Sequence, residues 1–155
     1  MNIKSISKAA IIAATYVVLT YITNIFGLAN NVIQVRISEA ITILPVLSVV
    51  AIPGVTIGCL ISNIITGCTP VDIVFGTVAT LIGAVGTYLL RKNRFLAVIP
   101  PVLSNTIIIP LVLMYSSGTE FNFWYCAVTV CIGEIISCGF FGLKLLKKLE
   151  KFSVL

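Results

Sequence analysis

A carboxylate stands inside an apolar run at Glu134, within Cys131-Ile132-Gly133-Glu134-Ile135-Ile136-Ser137. An ionisable side chain in hydrocarbon is costly unless it faces a cavity or a partner, so such residues mark functional sites by default. At about 100° per residue, Ala127, Val130, Cys131 and Cys138 share its helical face, and their modest size leaves room for a ligand beside the carboxylate. The structural alternative is a carboxylate bonded to a neighbouring helix. Asn105 follows Pro100 and Pro101 and precedes Pro110. Each proline removes a helical hydrogen bond, which predicts a kinked helix with free carbonyls near Asn105, of the kind tolerated where it lines a cavity. Ser104 reads equally well as a cross-helix bond. Asp72, after Thr69-Pro70, can cap a helix, contact a ligand, or do both. Phe75, one turn on, can offer a flat face to a ring or simply pack. Arg36, Glu39, Asn63 and Trp124 complete the candidate set, and Trp124 with Tyr125 is read most simply as part of an interfacial aromatic belt.

The elements that position these residues are membrane helices. The 155 residues are 59% apolar and only 10% charged, far below the roughly 25% charged residues of soluble domains. The chain has no histidine, which excludes Ser-His catalysis and the commonest metal ligand. No GxxxxGK[ST] phosphate loop is present, so ATP chemistry is not expected within the chain, and neither an enzyme nor a resident cofactor is expected. The five cysteines show no CxxC pairing and are read as small residues in helix contacts.

Polar breaks divide the chain into six apolar segments, at about 6–28, 38–52, 53–68, 70–90, 95–115 and 121–146. The first, fourth, fifth and sixth are long enough to span a hydrocarbon core of about 30 Å. The first follows Lys4 and Lys8 like a secretory signal, but its length and the spans after it predict a retained helix. The second and third, joined at Ile52-Pro53-Gly54, can be two short crossings or a hairpin entering part-way; either returns the chain to one side.

Nine of the ten basic residues fall in three clusters: Lys4 and Lys8; Arg91, Lys92 and Arg94; and Lys144, Lys147, Lys148 and Lys151. Six passes place all three on one face, which the positive-inside rule makes cytoplasmic together with both termini. The net charge of +5 is therefore a topology signal, and no nucleic-acid partner is expected. The expected architecture is one domain over residues 1–155, an all-α integral membrane bundle of six transmembrane helices. Its outer face consists of a loop from Ala29 to Ser38 and short connections near Gly67 to Val71 and Ser116 to Phe121.

Three stretches, Gln34-Val35-Arg36-Ile37-Ser38-Glu39-Ala40, Pro53 through Asn63 and Asp72 through Leu81, together resemble the QueT family. These are membrane substrate-binding (S) components of energy-coupling factor (ECF) transporters associated with queuosine precursors. The resemblance implies a multi-pass protein of the bacterial cell membrane that captures a 7-deazaguanine, such as preQ0, preQ1 or queuine, from outside. It also implies a separate transmembrane coupling protein and two ABC-type ATPases, with ATP-driven tipping of the S component releasing the ligand inside. In such components an Ala-x-x-x-Ala pattern on the first helix meets the coupling protein; Ala9/Ala13 or Ala10/Ala14 stand at that position. The ligand site is expected from Arg36, Asp72, Asn105 and Glu134, with Glu39, Asn63, Phe75 and Trp124 nearby. One carboxylate can accept the paired ring N–H and exocyclic amine of a guanine-like edge, and an amide can meet its carbonyl, which assigns Glu134 and Asn105 to that edge. A 7-aminomethyl group would favour a second carboxylate, Asp72 or Glu39, and a nitrile would not. The alternatives are another vitamin-like cargo, or a stand-alone proton-coupled carrier using Glu134. The second expects matching broken helices in repeated halves, and the chain shows no convincing repeat.

Overall fold

The structure is a computed structural model that describes residues 2–27, 36–117 and 122–152. Among these residues the regular structure is entirely helical. In chain order, α1 is Ile3–Ile25, α2 is a 3-10 helix over Ile37–Val46, α3 is Ala51–Ile65 and α4 is Pro70–Leu89. A short turn of 3-10 helix at Leu96–Val98 leads into α5, Ile99–Ser117. The last rod, α6, joins an α-helix at Phe123–Glu134, a π segment at Ile135–Gly142 and an α-helix at Leu143–Phe152.

The polarity of the bundle is inverted relative to a soluble protein. Large apolar side chains such as Ile11, Val18, Leu89, Leu103 and Ile107 face outward, whereas Thr23, Glu39, Asn63, Thr80, Asn105 and Glu134 are buried. That arrangement suits a lipid solvent, in which polar groups must find partners inside. Four stretches are long and apolar enough to cross a membrane: Ile3–Ile25, Pro70–Leu89, Leu96–Tyr115 and Phe123–Lys151. They coincide with the four long segments of the sequence reading, and the protein is a multi-pass membrane protein.

The 38–68 region divides differently from the expected break at Ile52-Pro53-Gly54. The break falls at residues 47–50, and α3 begins at Ala51, so Pro53 occupies its first turn. The first N–H groups of a helix lack intrahelical acceptors, so proline there sacrifices nothing. Pro100 and Pro101 likewise sit in the first turn of α5, leaving only Pro110 in its interior, and the helix continues through it. At about 2 Å per residue for a 3-10 helix and 1.5 Å for an α-helix, α2 and α3 reach only about 20 and 22 Å. Neither alone matches the core thickness.

Glycines set the close crossings. Gly54 lies under the Ala9 carbonyl and Ile12, and Gly58 lies against Ala13 and Tyr16, so α1 and α3 run parallel in contact. A Cβ on Gly58 would stand 2.7 Å from that of Tyr16. Gly83 meets Pro101 and Ser104, and Gly86 meets Pro100, which pairs α4 antiparallel with α5. Arg94 Nη2 bonds Glu150 Oε2 at 2.9 Å, tying the α4–α5 connection to the end of α6. With α3 antiparallel to α4 through the Cys59–Thr80 and Asn63–Gly76 contacts, all three basic clusters fall at one end of the bundle.

Candidate functional site

At the opposite end, a cavity of about 190 Å³ opens between α1, α3, α4 and α5, lined by Thr20, Asn24, Arg36, Asn63, Asp72 and Gly76 among others. A second, much smaller cavity of about 10 Å³ lies among Arg36, Glu39, Cys59, Thr80, Asn105 and Glu134. The two share Arg36, Gly76 and Ile109, so they form one polar shaft with an outer chamber and an inner pocket.

The outer chamber is shaped by a tight α3–α4 turn. Gly67, at φ +73°, ends α3 in a left-handed conformation that favours glycine. The N–H of Cys68 reaches back to the Asn63 carbonyl at 3.0 Å, and that of Gly67 reaches Ile64 at 3.2 Å, the Schellman pattern. Thr69 then caps α4 reciprocally with Asp72: the Asp72 N–H donates to Thr69 Oγ1, while Thr69 donates from its backbone and its hydroxyl to Asp72 Oδ2. Two opposed helix caps within a few residues thus hold Asn63, Cys68 and Asp72 around one opening. Asp72 both caps its helix and lines the chamber. A Cβ on Gly76 would come within 3.2 Å of Asn63 Nδ2, so the missing side chain makes room for that amide.

The inner pocket depends on α2. Residues Ser38 through Pro45 are buried, so this 3-10 helix runs inside the bundle and carries Glu39 into its centre. The Tyr16 hydroxyl of α1 donates to Glu39 Oε1. Across the pocket, Asn105 Nδ2 donates to Glu134 Oε1 at 2.9 Å, linking α5 to α6. The second oxygen of each carboxyl, Glu39 Oε2 and Glu134 Oε2, is buried without a protein hydrogen-bond partner among the described residues. Glu39 is 2% exposed and Glu134 is 7% exposed. A buried acceptor left unpaired costs about 1 to 3 kcal/mol, so each free oxygen is a place where a donor-bearing ligand gains. The π segment begins immediately after Glu134, and its Cys138 Sγ lies 2.9 Å from Thr42 Oγ1 and 3.4 Å from the Glu39 carbonyl oxygen. Single π turns recur at functional sites because the extra residue re-aims the side chains around them. Here the segment packs α6 onto α2.

Of the residues singled out from sequence, Arg36, Asn63 and Asp72 line the outer chamber, and Arg36, Glu39, Asn105 and Glu134 line the inner pocket. Phe75 and Trp124 line neither. Phe75 is half-exposed on an outer groove between α4 and α5, with Ile108, Leu111 and Tyr115, and its neighbour Gly76 faces the chamber instead. Trp124 is 72% exposed at the start of α6, edge-on to Phe123, as an interfacial residue would be. On α1, Ala9 and Ala13 are buried against α3, while Ala10 and Ala14 are on the exposed face. Much of the expected outer loop falls on residues 28–35, and Glu120 falls within 118–121; both lie outside the described residues.

Sequence reasoning passed over Tyr16, Thr20, Cys59 and Thr80. Thr80 donates to Cys59 Sγ at 3.2 Å, and Asn63 Nδ2 lies 3.6 Å from the same sulfur, a bonded strip along the α3–α4 contact. The signal was present as spacing. Tyr16 and Thr20, or Cys59 and Asn63, are polar or polarisable residues four apart in otherwise apolar helices, and therefore share a face.

The profile of the QueT transporter family matches residues 6–151. The chain is 38% identical over 73 residues to the Queuosine precursor transporter QueT of Lactococcus lactis subsp. cremoris (strain MG1363). That alignment covers 47% of this chain and 43% of the relative, so the chain spans less than half the length of the curated relative it matches. No solved structure matches the chain. A family match over nearly the whole bundle, including every residue lining the shaft, means that the chain belongs to the QueT transporter family.

Proposed function

We propose that this chain is the substrate-capture subunit of an importer for queuosine precursors, binding a 7-deazaguanine from the outer face of a bacterial cell membrane. The observation that carries the reading is the Asn105–Glu134 pair at the floor of a polar shaft, in a chain of this family. The bicyclic base occupies the outer chamber, whose 190 Å³ suits a molecule smaller than a drug-sized ligand. Its ring N–H and exocyclic amine point inward to the Glu134 carboxylate, and Asn105 turns its amide to the ring carbonyl. The inner pocket is too small for the ring system itself, so only the ring's polar edge enters it.

Both termini and the three basic clusters lie on the cytoplasmic side, which directs the shaft outward. Uptake is driven by a separate ECF coupling protein and two ABC-type ATPases, and the chain itself is not an enzyme. Ala10 and Ala14 are the small residues on α1 left open to a coupling helix, since Ala9 and Ala13 already pack on α3.

The test is thermal unfolding of the detergent-purified chain with the nitrile, aminomethyl and queuine forms, set against guanine and unrelated vitamins. A ligand at about 100 times its Kd stabilises by about 2.7 kcal/mol, well within detection. Stabilisation by a vitamin and by none of the deazapurines would assign another cargo. Proton-driven accumulation by this chain alone in liposomes would replace the ECF reading with a stand-alone carrier.

A further inference from the structure

The last part of α6, Leu143–Phe152, sorts its side chains onto two sides. Leu146 is wholly buried with Ile43 and Ala97, Leu143 packs on the same cluster, and Leu145 and Leu149 pack on the core that holds Ile12 and Tyr16. The leucine side is therefore covered by the bundle itself. Lys144, Lys147, Lys148 and Lys151 recur at helical spacing, which puts them in one stripe on the other side, and all four are exposed.

The start of that stripe decides what it meets. The Lys144 ammonium stands over the Phe140 ring, 3.8 Å from its centroid. Phe140 is 55% exposed within the spanning stretch Phe123–Lys151, and an apolar ring exposed there faces lipid. The lysines thus continue a lipid-facing column toward the headgroup layer, the position in which long cationic side chains lay their stems on apolar surface and keep their heads at the interface. Glu150 is the one carboxylate within this part of the helix, and it bonds Arg94 at 2.9 Å instead of a lysine. Among the described residues no ion pair neutralises the four ammonium groups.

We infer that this stripe is a binding site for anionic phospholipid headgroups in the leaflet at that end of the bundle. The site stands apart from the shaft and does not depend on which ligand fills it. A headgroup phosphate accepts charge-assisted hydrogen bonds from neighbouring ammonium groups, while an acyl chain lies against Phe140. A zwitterionic headgroup brings its own cation to the stripe and cancels most of that attraction. Basic residues clustered at the end of a membrane helix draw anionic lipid over about a Debye length, so the preference is sensitive to salt.

The test titrates the delipidated, detergent-purified chain with phosphatidylglycerol or phosphatidylcholine of identical acyl chains and counts retained lipid by native mass spectrometry. The expected result is tighter retention of phosphatidylglycerol by about tenfold or more, weakening as salt is raised. In Lys144→Gln/Lys148→Gln that preference falls by about fivefold or more, and in Lys144→Arg/Lys148→Arg it is kept. If the glutamine pair fails to fold, Lys147→Gln/Lys151→Gln carries the same test. Lys4→Gln/Lys8→Gln removes equal charge from the same end of the bundle and changes the preference by less than about twofold. Equal retention of the two lipids, or a preference unchanged in the folded α6 variants, overturns the inference. An equal fall in the Lys4 and Lys8 variant also overturns it, since the attraction is then diffuse charge and not a site. Displacement of phosphatidylglycerol by inorganic phosphate at matched ionic strength assigns the stripe to a soluble anion and overturns the lipid assignment.

Discussion

Asn105 and Glu134 meet across the α5–α6 contact, and removing either should expose whether they act as one unit. Asn105→Ala deletes the donor 2.9 Å from Glu134 Oε1. Because Glu134 Oε2 already lacks a protein partner among the described residues, the variant leaves both oxygens of a buried carboxyl unpaired. The magnitude follows from two terms. A hydrogen bond to a charged group contributes about 1.5 to 3 kcal/mol, and an orphaned buried polar atom costs about 1 to 3 kcal/mol. Side-chain bonds in membrane bundles average lower, near 0.6 kcal/mol with a maximum of about 1.7. The membrane figure decides for stability, giving a loss of about 1 kcal/mol for the empty protein. For ligand affinity the larger figure applies, because the same pair is asked to hold the ring edge in a closed pocket. A loss of about 2 kcal/mol corresponds to roughly 30-fold in Kd.

The assay is a double-mutant cycle on deazapurine binding with Asn105→Ala, Glu134→Gln and the double variant, measured by calorimetry in detergent. If the pair recognises one edge together, the double variant loses much less than the sum of the singles, with a coupling of about 1 kcal/mol or more. Losses that add to within about 0.5 kcal/mol would show that the two residues act independently and would refute the shared-edge arrangement. Unchanged affinity in Glu134→Gln would move the ring edge away from this pocket altogether.

Other perturbations test the architecture around the site. Gly86→Leu forces a side chain into Pro100 and should separate α4 from α5, lowering thermal stability by about 1 to 3 kcal/mol or preventing folding, as read by size-exclusion in detergent. Ala13→Leu should destabilise the isolated chain for the same reason at α1–α3. Ala10→Leu and Ala14→Leu, on the exposed face of α1, should leave its melting temperature within a degree or so while abolishing co-purification with the proposed coupling protein. Tyr16→Phe strips the hydroxyl from Glu39 Oε1 and should lower stability by about 1 kcal/mol, since that carboxyl then loses its hydrogen bond from α1. Reporter fusions at either terminus should be active only in the cytoplasm if the proposed orientation holds; activity outside for one of them would refute it.

The long helices were legible because each needs only about 20 consecutive apolar residues, a pattern that composition preserves. The ends of α2 and α3 were not, because proline at Pro53 reads as a breaker wherever it stands, yet is neutral in a first turn. The same ambiguity made α5 look interrupted at Pro100 and Pro101, where the chain was only entering a helix. Nor could apolar periodicity predict α2 as a 3-10 helix, since every residue from Ser38 to Pro45 is buried and no exposed face remains to set a period.

The candidate site was legible where a charge or amide stood in an apolar run, because burial makes such residues costly whatever their neighbours. The cost of burial marks Glu134 and Asn105 separately, whereas their mutual bond requires α5 and α6 to be brought together. Burial cost carries no direction on a helix, and the candidate set accordingly includes Phe75 and not Gly76. An aromatic side chain invites a stacking role, yet at this crossing the absence of a side chain is what opens the chamber beside Asn63. Glu39 shows the converse. It stands just after the outer loop in sequence, but the buried stretch Ser38 to Pro45 of α2 carries it inward to face Glu134, with the Tyr16 hydroxyl holding it there. The chemistry of the pocket therefore depends less on the long spanning helices than on the short segment that none of their periodicities describes.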